Sequence, residues 1–196
     1  IEISQKKELS LFRMCHAGNL SKERNPDLLF QALVQFLSKN KEANILVDLL
    51  GVANTDLKTL VKKYSLEKNV RFIGSLPYMD ALNKMSHYNV LVIVEANSKD
   101  AIYLPSKITD YSQLGIPVFA ITPRQSCIDK LIAKYGGGES ADCSSVDSIC
   151  IGIEKLYDVW ETDGSMKKYD TAQLYTCFKP ENIIEKYKTI FKDMSL

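Results

Sequence analysis

Residues 69–95, NVRFIGSLPYMDALNKMSHYNVLVIVE, decide how this chain folds. They begin with a short apolar run closed by Gly74. An amphipathic stretch follows at 77–88, with Pro77 at its first position. They end on the most strand-like run of the chain, 89–95. Val90 to Val94 are all apolar, with no polar alternation, so this strand is buried on both faces. Proline has a fixed φ and no N–H, which suits the first turn of a helix. Strand, helix and strand in so short a span predict a crossover between parallel strands, and such crossovers are right-handed.

The same unit repeats on either side. Upstream, 9–18 and 43–51 read as strands, and 25–40 and 55–66 as helices. Downstream, LPSKITDYSQLG (104–115) reads as a helix and IPVFAI (116–121) as a strand. A helix at 125–136, closed by glycine, and a short edge strand at 139–145 come next. Three further helices are expected at 146–162, 166–178 and 179–194. The pattern is α/β: a Rossmann-like, doubly wound parallel sheet flanked by helices, with a C-terminal helical tail. No short-period repeat, low-complexity tract or internal boundary interrupts it, so 1–196 reads as one domain.

Composition sets limits on function. The 196 residues are 45% hydrophobic and 25% charged, enough for a substantial core. Lys and Arg number 25 against 24 Asp and Glu, a net charge of +1, which gives no footing for nucleic acid as the main partner. Five scattered cysteines without a CxxC pair read as reduced thiols of a cytoplasmic protein. The apolar runs are too short to span a membrane. No signal peptide is visible, but the chain starts at Ile1 rather than Met and reads as an excised domain.

In open α/β sheets, ligands sit at the carboxyl ends of the strands. That selects the loops at 17–25, 51–54, 74–78 and 96–106. In the first, Gly18 permits a sharp turn or a close approach of ligand to backbone. Arg24, just before the next helix, suits paired N–H bonds to phosphate oxygens, or is a surface arginine in a solvated loop. In the last, Pro105 begins a helix whose Ser106, Lys107 and Ile108 N–H groups would face an anion, with Lys107 adding a full charge. Asp110 comes within the first turns, able to accept from sugar hydroxyls, or to form a surface pair with Lys107. In the third, Gly74 to Leu76 offer backbone groups to a flat base, or make a tight turn. A nucleoside diphosphate suits the three together.

Other chemistries lack their motifs. There is no GxxxxGK[ST] loop, no GxGxxG after the first strand, and no HxxH, HExxH or cysteine cluster for a metal. His16 stands at the mouth of the first loop, open to a ligand or a structural hydrogen bond. His87, late on its helix, suits the helix dipole.

The residues also resemble the C-terminal, donor-binding half of family 4 (group 1) glycosyltransferases of the GT-B fold. GNLSKERNPDLLFQAL (18–33) is similar to the family's GRLSPEKGVDLLIEAF. Residues 70–94 resemble V-x-F-x-G-x-[LV]-P…Y-x-x-A-D-V-x-[LV]. LPSKITDYSQLGIPVFA (104–120) resembles PSKLxEYMAxGxPVVA, a form common in bacterial surface polysaccharide synthesis. The resemblance implies that Arg24 and Lys107 carry the catalytic electrostatics, on the donor diphosphate. Gly18, Asn19, Gly74, Leu76, Pro105, Ser106 and Asp110 would complete the donor site. Asn19 stands where many members have a second phosphate-binding Arg. Asp110 stands for the second Glu of an E-x7-E motif that holds the ribose. The first Glu falls at Ile102, and Asp100 and Glu95 are the nearest carboxylates.

The resemblance further implies a retaining transfer of sugar from a UDP- or GDP-linked donor, without metal or other cofactor. The hydroxyl acceptor, a glycan or lipid-linked sugar, would meet a separate N-terminal domain. The isolated half would be inactive, and the whole protein cytoplasmic or peripheral to the inner face of the membrane. A sugar-nucleotide epimerase of the same architecture and a non-catalytic nucleotide-sugar-binding module stand beside this reading. A flavodoxin-like signalling domain lacks its acidic pocket and flavin loop.

Overall fold

The computed structural model describes residues 11–52, 55–98 and 103–193. Six strands form one sheet: β1 (Phe12–Ala17), β2 (Ile45–Leu50), β3 (Val70–Gly74), β4 (Val90–Val94), β5 (Val118–Thr122) and β6 (Gly138–Asp142). All pairings are parallel, in the order β3-β2-β1-β4-β5-β6. The doubly wound Rossmann-like expectation is met. The edge strand expected at 139–145 is β6, which starts one residue earlier and already ends at Asp142.

The eight α-helices among the described residues are α1 (Asp27–Lys39), α2 (Thr55–Lys63), α3 (Tyr78–Met85), α4 (Lys107–Gln113), α5 (Cys127–Tyr135), α6 (Val146–Asp163), α7 (Ala172–Thr176) and α8 (Pro180–Asp193). Strand periodicity explains how they divide between the faces. On β4, Val90, Val92 and Val94 join a core with α1, α2 and α6, while Leu91 and Ile93 join a second core with α3, α4, α5 and α7. Each face of the strand is covered, which is why its sequence is apolar without alternation.

Aromatic packing seats α6 against β1. The Phe12 ring lies 5.5 Å from Tyr157 and 5.2 Å from Trp160, and Phe36 of α1 lies 5.2 Å from Tyr157. Such pairs add about 0.5–1.5 kcal/mol each beyond area burial. On the other side of the sheet, β6 comes so close to β5 that a Cβ on Gly138 would lie 1.8 Å from the Val118 carbonyl oxygen. Only glycine lets this edge strand pair there.

Three expectations need correction. Residues 166–178 are not one helix. They make a 3-10 turn at Lys167–Tyr169 and then α7. The Asp170 carboxylate accepts from the Ala172 N–H at 2.9 Å, and the Thr171 hydroxyl donates to the Ser112 carbonyl at 3.1 Å. Docking on α4 and a local Asx turn outcompete a continuous helix. Pro77 does not occupy the first helical position of α3. It is the N-cap, with extended ψ of 150°, and its carbonyl accepts from the Ala81 N–H. Third, α4 begins only at Lys107, so Pro105 stands ahead of the helix rather than in its first turn.

The apolar residues of α8, among them Ile183, Ile184, Tyr187, Ile190 and Phe191, are exposed. None of the described helices is long and apolar enough to cross a membrane. The cysteines are all free thiols, and burial pushes Cys15 up to about 12.

Candidate functional site

The strand order fixes where a site can form. From β1 the chain leaves toward α1 on one face, and from the neighbouring β4 it leaves toward α4 on the other. The loops part at the carboxyl edge and leave a crevice between them. That crevice is a small cleft of about 90 Å³ lined by Arg24, Ile93, Val94, Glu95, Pro105, Ser106 and Lys107.

Lys107 is tied to the end of β1. Its Nζ donates to the Ala17 carbonyl at 2.7 Å, and one turn further on, the Tyr111 hydroxyl accepts from the Ala17 N–H at 3.0 Å. Gly18 comes next with φ +123°, and a Cβ on it would lie 2.9 Å from Lys107 Nζ. Glycine therefore both makes the turn and leaves room for the ammonium. Burial, then the nearby Arg24 charge, pulls the Lys107 pKa down to about 8.

Arg24 is exposed, and its guanidinium has no acceptor among the described residues. Neither Arg24 nor Lys107 takes part in any of the described ion pairs. Two like charges face one cleft, and neither is in ion-pair contact with a carboxylate among the described residues, although Glu95 shares the lining; the pair suits an anion. The helix start contributes less than its sequence promised. Ile108 N–H already donates to the Pro105 carbonyl at 3.1 Å, because the first turn of α4 is tightened. The N–H groups of Ser106 and Lys107 have no acceptor among the described residues.

The loops after β1, β2 and β3 are laced together. Gly18 N–H donates to the Leu50 carbonyl, and Gly51 N–H to the Gly74 carbonyl. Asn19 Oδ1 accepts from the Val52 N–H at 3.0 Å, so its side chain holds the loop after β2. The Gly74 carbonyl is thus already engaged. Leu76 is placed apart from the cleft, in an open groove with Arg13, Arg71, Asp80, Asn83, Lys84, His87 and Tyr88. Asp110 also lies off the cleft lining, accepting from the Tyr78 hydroxyl at 2.8 Å. The structure therefore gathers Gly18, Arg24, Pro105, Ser106 and Lys107, and sets Gly74, Leu76 and Asp110 around them. Ile102 and Asp100 lie outside the described residues.

Beneath the cleft, His16 is 1% exposed, with Nδ1 3.0 Å from the Val92 carbonyl. Nε2 has no partner among the described residues. Burial, followed by the charge of Lys107, drives its pKa down to about 3, so the ring is neutral at physiological pH.

Sequence spacing did not reveal the supports of the site. Tyr111 had a signal, a large polar-tipped residue on the buried face of α4. Tyr78 and Thr122 had less: a surface aromatic and one hydroxyl at the end of an apolar strand. Among the described residues no group of three or more His, Cys, Asp or Glu is placed to hold a metal.

Comparison with known proteins adds to this geometry. Residues 2–173 match the family model described as glycosyl transferases group 1. None of the curated proteins compared with the chain matches it. Among solved structures, sucrose-phosphate synthase from Thermosynechococcus elongatus is similar, with a TM-score of 0.70 at 14% identity, over 95% of this chain and 46% of that one. WaaG, a glycosyltransferase involved in lipopolysaccharide biosynthesis, has a TM-score of 0.67 at 16% identity, over 87% and 43%. The pneumococcal O-GlcNAc transferase GtfA, solved with UDP and GlcNAc, has a TM-score of 0.64 at 15% identity, over 93% and 35%. At such identities the likeness is one of fold. The chain spans less than half the length of each.

Proposed function

Since the chain belongs to the glycosyl transferases of group 1, we propose that it is the donor-binding half of a two-domain retaining glycosyltransferase. Its cleft takes the diphosphate of a UDP- or GDP-linked sugar. The observation that carries this reading is the placing of Arg24 and Lys107 on one cleft, neither in ion-pair contact with a carboxylate among the described residues. Transfer breaks the bond between the anomeric carbon and the diphosphate oxygen, and the electron pair goes to that oxygen. The two cations, fixed before the reaction, stabilise the charge that develops there. Gly18 allows the diphosphate close to the backbone, and the Ser106 and Lys107 N–H groups add donors. Such a site needs no metal to neutralise the leaving group.

The acceptor, a glycan or lipid-linked sugar of a bacterial surface polysaccharide, binds a separate N-terminal domain. The lipopolysaccharide glycosyltransferase among the structural relatives is in keeping with that acceptor class. The full protein works in the cytoplasm or at the inner face of the membrane. Calorimetric titration with UDP, GDP, UDP-glucose, UDP-N-acetylglucosamine and GDP-mannose, without metal, tests the donor site. Saturable binding of one nucleotide is expected, weakened more than about tenfold by Arg24→Ala, as for loss of a charge-assisted contact. Affinity unchanged by both Arg24→Ala and Lys107→Ala would refute the assignment.

A further inference from the structure

One carboxylate faces the same cleft as the two cations, and the fold holds it there through a chain of buried hydroxyls. Glu95 comes directly after β4, and its N–H donates to the Ile121 carbonyl at 2.9 Å, fixing its backbone to β5. Its Oε2 accepts from the Thr122 hydroxyl. Thr122 and Ser126 share a further hydrogen bond of 2.7 Å, and Ser126 Oγ accepts from the Asp129 N–H at 3.1 Å. Both hydroxyl residues are 1% exposed.

The proton count sets the direction of this chain. Each hydroxyl has one proton to give. With Asp129 N–H donating into Ser126, the Ser126 proton goes to Thr122 and the Thr122 proton to Glu95. The reverse direction would leave the Ser126 proton buried without an acceptor, which is costly. The chain therefore ends on an acceptor, the Glu95 carboxylate. Its Oε1 has no partner among the described residues, and no described ion pair joins it to Arg24 or Lys107. A carboxylate repels phosphate, so this group does not serve the diphosphate. It suits a part of the ligand that is neutral and rich in hydroxyl donors.

We propose that Glu95 is the sugar-recognition residue of the cleft, its Oε1 accepting a hydrogen bond from a hydroxyl of the donor's sugar, with Thr122 and Ser126 as positioning residues. This rests on the nucleotide-sugar reading of the cleft and names the group that tells a nucleotide sugar from the bare nucleotide. The family resemblance directs attention to Ile102 for a carboxylate in this role. The geometry instead puts an oriented one at the end of β4.

The test compares affinities for the nucleotide and its sugar conjugate in the full-length protein. The quantity read is the ratio of the two. Glu95→Ala should lower the ratio of sugar-conjugate to nucleotide affinity about tenfold or more, the size of a lost charge-assisted hydrogen bond. Glu95→Gln, which keeps the shape, should lower it less. Thr122→Val should lower the same ratio, and Thr122→Ser, which restores the hydroxyl, should recover it; a purely structural threonine would not give that recovery. An unchanged ratio in Glu95→Ala and Glu95→Gln overturns the proposal, even while Arg24→Ala weakens both ligands in parallel and so upholds the donor site. Wild-type protein that binds neither UDP nor GDP nor their conjugates overturns the donor reading, and the role of Glu95 with it.

Discussion

Lys107 Nζ donates to the carbonyl of Ala17, 90 residues away in the chain, at 2.7 Å. The bond carries the ammonium from the first turn of α4 to the end of β1, and stops it at the mouth of the cleft. One proton of three is spent there, and the others face a site that already holds Arg24. Burial and Arg24 bring the pKa to about 8.

That value makes donor binding pH-dependent. A diphosphate favours the protonated lysine, so its binding raises the Lys107 pKa. Between about pH 8 and 9 the free site has partly lost its proton, and binding must take one up. Affinity should fall as pH rises through that window. Calorimetry at about pH 8.5 in two buffers of different ionisation enthalpy should show net proton uptake, absent in Lys107→Met. Heats independent of buffer in the wild type would show that Lys107 does not meet the ligand.

Gly18→Ala should weaken the site without touching a charge. The residue sits at φ +123°, where an L side chain is strained, and its Cβ would lie 2.9 Å from Lys107 Nζ. The ammonium must move, or the turn after β1 must. Nucleotide affinity is expected to fall at least about tenfold, and stability by roughly 1–2 kcal/mol from the backbone strain. A thermal melt and a titration on the same sample check both. Full affinity in a stable variant would show that Lys107 has room to spare.

A second charged network lies under the open groove beside α3. Asp48, 0% exposed on β2, next to the edge strand β3, accepts from Arg71 Nε at 2.8 Å and Nη2 at 2.7 Å, and from the Tyr88 hydroxyl at 2.5 Å. Burial alone would raise the Asp48 pKa, but Arg71 and Tyr88 more than offset it and hold the carboxyl below its usual range. Arg71→Ala leaves that carboxylate with one partner. It should cost about 2 kcal/mol in a denaturant titration, the penalty for an undersatisfied buried group. Asp48→Asn with Arg71→Met should recover part of the loss. A neutral Arg71→Ala would mean that solvent in the groove already serves Asp48.

The division between what residues 69–95 foretold and what they did not has a physical basis. Unalternating apolar strands and glycine-closed loops are local signals, so the six parallel strands and the carboxyl-edge loops could be read directly. Gly18, Arg24 and Lys107 were legible because each had a local reason to attract an anion. The pairings that finish the site are long-range. Tyr111 reaches back to Ala17 across 94 residues, and Asn19 holds the Val52 N–H. No local pattern encodes which backbone group a polar side chain will meet. The break at Asp170 was hidden for the same reason, since it depends on Thr171 finding the Ser112 carbonyl.

His16 should make stability fall with acid well before the carboxylates titrate. In the unfolded chain its imidazole takes up a proton below about pH 6.5. In the fold the ring stays neutral down to about pH 3, because burial and the charges of Lys107 and Arg24 oppose a third cation. Between these values the unfolded state binds more protons, so the free energy of unfolding rises with pH and is lost as pH falls. The stabilisation is fully present above about pH 6.5. One proton gives a slope of at most about 1.4 kcal/mol per pH unit. Denaturant titrations at about pH 7, 6 and 5 should show this loss in the wild type, and a shallower one in His16→Gln, whose side chain does not titrate. The comparison is of slopes, so any constant destabilisation by the glutamine cancels. Equal slopes would mean that the folded protein protonates His16 as readily as water does, and that the ring is not sealed beneath the cleft.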